Sequence, residues 1–212
     1  IKSPKFKKLY SEKNVFESLM YLHHPVIKVI KETLSNLQIQ EIKTSFKVPH
    51  QDSSHHRYSK KKGGGSILDQ GIYPISLITY LFGSDIQIIS KEVNFTSHHE
   101  VDLSGHIDLI SRTGFSIRGE WALGEKYENY LEIRSQQNVY NFPFIFSKNE
   151  ADEYKYSITD SHEKHIKNLG HSNQFNNMYT SILNGKYLDF EYSSYENLLK
   201  RYELLDKITE GV

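Results

Sequence analysis

Residues 63–83 read GGGSILDQGIYPISLITYLFG, and no other stretch constrains the chain as strongly. Three consecutive glycines let backbone pass close to a neighbour. Ser66 and Asp69 follow at capping-box spacing for a helix running to about Phe82. Most of that helix is apolar. Against this background Asp69, Tyr73, Ser76 and Tyr80 recur at spacings of four, three and four, which sets them on one stripe. Pro74 has no N–H to bond back toward Gln70, so a kink is predicted there, and Gly71 keeps one side of the helix thin.

A carboxylate one turn before a phenol is a workable acid–base pair. The phenol can pass a proton to or from a sugar hydroxyl, while the carboxylate binds a neighbouring hydroxyl or orients the ring. Spacing alone also suits a plainer arrangement, with Asp69 as a first-turn dipole partner and Tyr73 as a rim aromatic.

The segment resembles the signature of the glucose-fructose oxidoreductase, inositol dehydrogenase and rhizopine-catabolism family (Gfo/Idh/MocA). That signature is a glycine-rich lead followed by Asp-x-Gly-x-(His or Tyr), often with Pro next. Asp69, Gly71, Tyr73 and Pro74 match it position by position. The tyrosine variant is similar to the glucose-fructose oxidoreductase, dihydrodiol dehydrogenase and keto-sugar reductase branch. Phe16–Pro25 resembles the junction between the two family domains, Ile39–Phe46 the first strand of the sheet domain, and Asn173–Met178 a helix of nucleotide-sugar reductases.

The resemblance implies an NAD(P)-dependent oxidoreductase that moves a hydride to or from a sugar, nucleotide-sugar or related polyol or ketone. Tyr73 would be the proton donor or acceptor and Asp69 its binding or orienting partner, with Tyr21 and His24 at the junction placed toward the substrate. His24 equally suits a junction residue bonded to backbone, and Arg57, just before the glycines, suits either closure over a sugar or a solvated loop. The cofactor implied is NAD or NADP. A homodimer or homotetramer formed through the open sheet face is implied as well. A different class of function, a non-catalytic oligomerisation or binding module derived from the same family, is the alternative.

The chain departs from the family pattern in several places. It has no Gly-x-Gly-x-x-Gly dinucleotide fingerprint. It also has no clear counterpart of the family's Glu-Lys-Pro motif. Leu22 stands where Arg is frequent, and Ser135-Gln136-Gln137-Asn138 replaces a glycine-containing turn. Residues 1–25 are accordingly expected to be a remnant of a nucleotide-binding domain with its crossover, and residues 26–212 a substrate-binding and oligomerisation domain. The abrupt start at Ile1 fits a cut, processed or incomplete chain.

Composition narrows the remaining choices. Twenty-six basic and 26 acidic residues cancel, so no global field gathers polyanions, and nucleic acid is not an expected partner. Lys60-Lys61-Lys62 reads as a solvated loop. The absence of cysteine excludes disulfides, thiolate zinc sites and cysteine nucleophiles, and fits a cytoplasmic protein. No apolar run approaches the roughly 20 residues that span a bilayer. The adjacent pairs His23-His24, His55-His56 and His98-His99 point to opposite faces when extended, so no metal site is expected.

The remaining pattern is helical at both ends and strand-rich between. Helices are predicted at Lys5–Lys13, Pro25–Leu37, His171–Leu183 and Ser193–Ile208, the last opened by a Ser193-x-x-Glu196 capping box. Strands are predicted at Val15–Tyr21, Gln38–Val48, Ile86–Phe95, Ser104–Ser111, Phe115–Trp121, Tyr130–Arg134, Asn138–Phe142 and Tyr154–Ile158. Arg112-Thr113-Gly114 and Ser135-Gln136-Gln137 read as hairpin turns. The fold expected is α+β: an open, mainly antiparallel sheet with helices on one face.

Overall fold

The computed structural model of the protein describes residues 8, 17–96, 98–185 and 195–210. Eight strands form one sheet: β1 (Ile39–Val48), β2 (Ile86–Phe95), β3 (Asp102–Ser111), β4 (Ser116–Leu123), β5 (Glu128–Ser135), β6 (Val139–Pro143), β7 (Lys155–Thr159) and β8 (Lys164–Asn168). Their spatial order is β2-β3-β4-β1-β5-β6-β7-β8. The β1–β4 pair is parallel and every other pair is antiparallel. The α+β expectation therefore holds, with β1 threaded into the middle of the hairpins.

Period-two alternation decides the two faces. Ile107, Leu109, Ile117, Trp121, Leu131 and Ile133 are buried on one side. On the other, Arg118 bridges Asp108 and Glu120, and Arg134 bridges Glu41 and Glu132. Each fully buried aliphatic side chain contributes roughly 1.5–3 kcal/mol. The open face thus carries paired charges.

Four helices lie among the described residues: α1 (Val26–Asn36), α2 (Ile72–Phe82), α3 (Gln174–Leu183) and α4 (Tyr195–Thr209). α2 packs on β1 and β4, and α4 packs on α2 and β2. Asn173 caps α3, its side chain accepting from the Asn176 amide at 2.9 Å. Lys91 of β2 donates to the carbonyls of Lys207 and Glu210, the latter at 2.8 Å, which ties the C-terminal turn of α4 to the sheet edge.

The structure corrects four local expectations. Phe16 and Val15 lie outside the described residues, but the rest of the strand predicted over Val15–Tyr21 is not extended: Met20–His23 is a 3₁₀ turn that buries Tyr21 and Leu22 together, which a strand would send to opposite faces. A kink at Pro74 gives way to a wider π turn at Ile67–Gly71, and Pro74 sits in the first turn of α2, where its missing N–H costs little. Ser66 does not cap the helix, as shown below. Finally β8 follows β7 although every residue of it is exposed. The predicted helix over Lys5–Lys13, apart from helical Lys8, and Ser193 of the second capping box lie outside the described residues.

Candidate active site

The glycine lead folds back on the preceding loop. The amides of Gly64 and Gly65 donate to the carbonyls of Ser59 and Arg57, both at 2.9 Å. A β-carbon on Gly64 would lie 2.3 Å from the Arg57 carbonyl oxygen, so only glycine fits this close approach. Gly65, at φ 122°, turns the chain into the π turn. There the Asp102 carboxylate, reaching across from β3, accepts from Ser66 Oγ at 2.6 Å and from the Ile67 amide at 2.7 Å. The helix start is thus capped from the sheet rather than by its own serine.

This clamp presents Asp69 beside the loop. Arg57 Nε and Gln70 Nε2 both donate to Asp69 Oδ2. Arg57 and Asp69, twelve residues apart in sequence, are brought together as an ion pair that is about one-third exposed. Gly71 has a separate reason to be small: a β-carbon there would lie 3.0 Å from the ring of Trp121, a core residue.

Tyr73, one turn on, is half-buried among aromatics. Its ring centroid lies 4.9 Å from Phe46, 5.6 Å from Phe146 and 6.0 Å from Tyr21. No described residue hydrogen-bonds its phenol. Burial pushes the phenol above the ordinary tyrosine range, the Asp69 carboxylate adds to that shift, and Arg57 opposes it. A protonated, unengaged hydroxyl beside a charged pair is equipped to hand a proton to an oxygen that develops negative charge.

The other expected contacts divide. Tyr21 is fully buried, and its hydroxyl lies 2.8 Å from Ser76 Oγ, which in turn donates to the Tyr73 carbonyl at 2.9 Å. Full burial and the Ser76 contact leave the Tyr21 phenol facing the protein interior. His24 is not brought to Tyr73. Its Nδ1 accepts from the Val26 amide at 3.1 Å, and its ring packs on Tyr154 with centroids 5.0 Å apart. Burial, with the Lys148 charge nearby, holds its pKa down at about 3. Phe46 is available to a core from the alternation of β1, whereas Phe146 and Asp102 are not marked by the sequence pattern. Phe146 carries no signal beyond its size, and Asp102 is linked to Ser66 only through the fold.

The glycine lead does not fit the diphosphate of a dinucleotide. The amides of the glycine lead are already bonded, and the helix start already holds the Asp102 carboxylate, so neither is left to cradle a diphosphate. Among the described residues no His, Asp or Glu cluster suits a metal, and no helix is long and apolar enough to cross a membrane.

Residues 38–137, which include the glycine lead, the Asp69–Tyr73 stripe and Asp102, match the family described as GFO/IDH/MocA C-terminal domain. This chain carries a GFO/IDH/MocA C-terminal domain. A curated relative, dTDP-3,4-didehydro-2,6-dideoxy-alpha-D-glucose 3-reductase of Actinomadura kijaniata, is 28% identical over 123 residues, covering 57% of this chain and 37% of that protein. The enzyme of the same name from Streptomyces violaceoruber is 24% identical over 114 residues, covering 52% and 33%. The matches thus span about a third of those relatives.

Its fold matches the 3-ketoreductase KijD10 of Actinomadura kijaniata, solved with NADP and TDP-benzene, at a TM-score of 0.84 and 22% identity, over 93% of this chain and 62% of that one. It also matches the aldose-aldose oxidoreductase of Caulobacter crescentus, solved with glycerol, at 0.73 and 13%, over 92% and 60%. The mixed sheet and its helices are therefore those of the GFO/IDH/MocA C-terminal domain.

Proposed function

We propose that the protein is an oxidoreductase that reduces a keto sugar carried on a nucleotide, with NADP(H) as hydride source and Tyr73 as proton donor. The observation that carries this reading is the Tyr73 phenol, half-buried, unengaged by described residues and set one turn from the Arg57–Asp69 pair. The relatives, named as reductases of a dTDP-linked keto sugar, supply the substrate class, and the NADP bound to KijD10 supplies the cofactor.

The described residues offer a proton path and not a hydride path. As the carbonyl carbon is reduced, its oxygen gains charge and takes the phenol proton, and the tyrosinate regains a proton from solvent. A phenol pKa raised by burial keeps Tyr73 protonated at neutral pH, the state a general acid needs for reduction. Arg57 and Asp69 would bind hydroxyls flanking the reacting carbon, and Tyr21 would hold the Tyr73 ring from below. The hydride donor would be held by a nucleotide-binding domain to which residues 1–25 would belong.

The oligomer is part of the same reading. A concavity on the open sheet face is lined by Glu41, Lys43, Ile89, Ile110, Arg118 and Glu120, and Ile89 is 64% exposed there. Apolar positions set within paired charges support this face as the contact in a homodimer or homotetramer.

Replacing Tyr73 by Phe tests the assignment. In the intact protein, kcat/KM for a dTDP-linked keto sugar should fall by roughly 10²–10⁴ with the melting temperature unchanged. Unchanged turnover refutes it. A non-catalytic assembly module would instead form the dimer and bind no NADP in a direct titration.

A further inference from the structure

A second cavity, of about 290 Å³, opens beside the junction and is lined by His24, Pro143, Phe144, Lys148, Tyr154 and Ser172 among others. Its hydrogen-bonding capacity is conspicuously unspent. His24 is 3% exposed; because its Nδ1 accepts from the Val26 amide, its proton sits on Nε2, and no described residue accepts from that atom. Tyr154 is 6% exposed, and its phenol has no partner among the described residues. Lys148 Nζ donates to the Ile145 carbonyl at 2.6 Å and to Gln174 Oε1 at 3.3 Å, which leaves one hydrogen over.

The walls around these donors are flat and apolar. The Tyr154 ring lies 5.0 Å from that of His24 and 5.5 Å below the Lys148 ammonium. At the mouth, Phe144 is 53% exposed and adopts φ 52°, the left-handed region that costs a β-bearing residue energy. Asn129 imposes that strain: its carbonyl accepts from the Phe144 amide at 2.5 Å and its Oδ1 from the Phe146 amide at 3.0 Å. Strained backbone held by its surroundings at a cavity mouth marks a functional position. The chain gains from it an aromatic face turned outward beside Tyr127, with ring centroids 6.3 Å apart.

We propose that this cavity is the subsite for the base of the nucleotide-linked substrate: a pyrimidine-dione whose carbonyl oxygens accept from His24 and Lys148 while its face lies on Phe144. The inference rests on the nucleotide-sugar reading above and places the nucleotide on this chain. The volume is at the small end of ligand sites, which run from roughly 300 Å³ upward, and suits a single ring with part of its pentose. Asp152 and the Glu153–Lys155 ion pair, its atoms 3.2 Å apart, also line the cavity, so with Lys148 the lining carries no net positive charge to hold a diphosphate. Phe146, which packs on Tyr73 and Tyr21, lies two residues from Lys148, so the cavity and the acid–base stripe share one end of the sheet.

Calorimetric titration of the intact protein with dTDP, thymidine, dADP and inorganic pyrophosphate tests this. Three variants are informative: His24→Asn keeps an acceptor for the Val26 amide but loses the inward donor, Lys148→Met keeps the stem, and Phe144→Gly relieves the left-handed strain. Each should weaken dTDP and thymidine at least tenfold and leave pyrophosphate unchanged, and dADP should bind the unmodified protein at least tenfold more weakly than dTDP. Failure of the unmodified protein to bind dTDP, unchanged dTDP affinity in all three variants, or a loss of pyrophosphate affinity in Lys148→Met overturns the proposal. Because binding is read without turnover, the two readings fail separately. A Tyr73→Phe protein that stays active refutes the acid–base assignment alone, whereas turnover that survives without dTDP affinity refutes the base subsite alone.

Discussion

The carboxylate of Asp102 accepts a 2.6 Å hydrogen bond from Ser66, a residue that sequence pattern assigns to capping its own helix. The same oxygen takes the Ile67 amide, so β3 fixes where the acid–base stripe begins. Removing it strands a buried hydroxyl and a buried N–H, at about 1–3 kcal/mol each. Asp102→Ala should lower unfolding free energy in urea by roughly 2–4 kcal/mol, and Ser66→Ala by only about 1 kcal/mol. Equal losses would place the cap on Ser66 after all.

The glycine lead should respond unevenly to methyl groups. A β-carbon at Gly64 meets the carbonyls of Arg57 and His56 at 2.3 and 2.6 Å, while one at Gly63 meets nothing within 4 Å and bears only the cost of φ 75°. Gly63→Ala should therefore cost about 1–2 kcal/mol. Gly64→Ala should cost more and also lower turnover, because the carbonyl it displaces belongs to the residue that pairs with Asp69. Thermal melts alongside steady-state kinetics would separate the two.

Much of this was legible in the sequence, and the parts that were not have physical reasons. β2 was readable to its end residues and β3 nearly so, because alternation of Ile and Leu with polar residues is a local signal. β8, Lys164–Asn168, was invisible: every residue in it is exposed, so no alternation marks it, and its pairing with β7 is made by backbone alone. Asp69 and Tyr73 were readable from helical spacing, whereas the Arg57–Asp69 pair depends on a loop folded back by Gly64. The cavity could not be read at all. His24 is far in sequence from Lys148 and Tyr154, and only the path of the chain after β6 brings them to it.

The charged pair should tune Tyr73 in opposite directions. Burial is the main cause of its raised pKa, Asp69 raises it further and Arg57 lowers it. If loss of the phenol proton sets the alkaline limb of the rate profile, Arg57→Ala should move that limb to higher pH and Asp69→Asn to lower pH. Shifts of the same sign in both variants would show that the limb belongs to another group.

Lys148 gives a prediction about stability. Burial lowers its ammonium from an ordinary 10.5 to about 7, so its charged form is disfavoured in the folded state. Below pH 7 both folded and unfolded chains carry the proton, and the full penalty is present. From about 7 to 10.5 the unfolded chain binds more protons than the folded one, so this group makes stability rise with pH. His24, held near 3, stays neutral throughout that window. Lys148→Met removes the penalty and also the bond to the Ile145 carbonyl; the second loss is the same at every pH while the lysine stays bonded. The melting temperature of the variant relative to the unmodified protein should therefore be higher at pH 6 than at pH 9, by on the order of 5–10 °C. A difference that does not change with pH would mean that the ammonium keeps its ordinary pKa within the cavity.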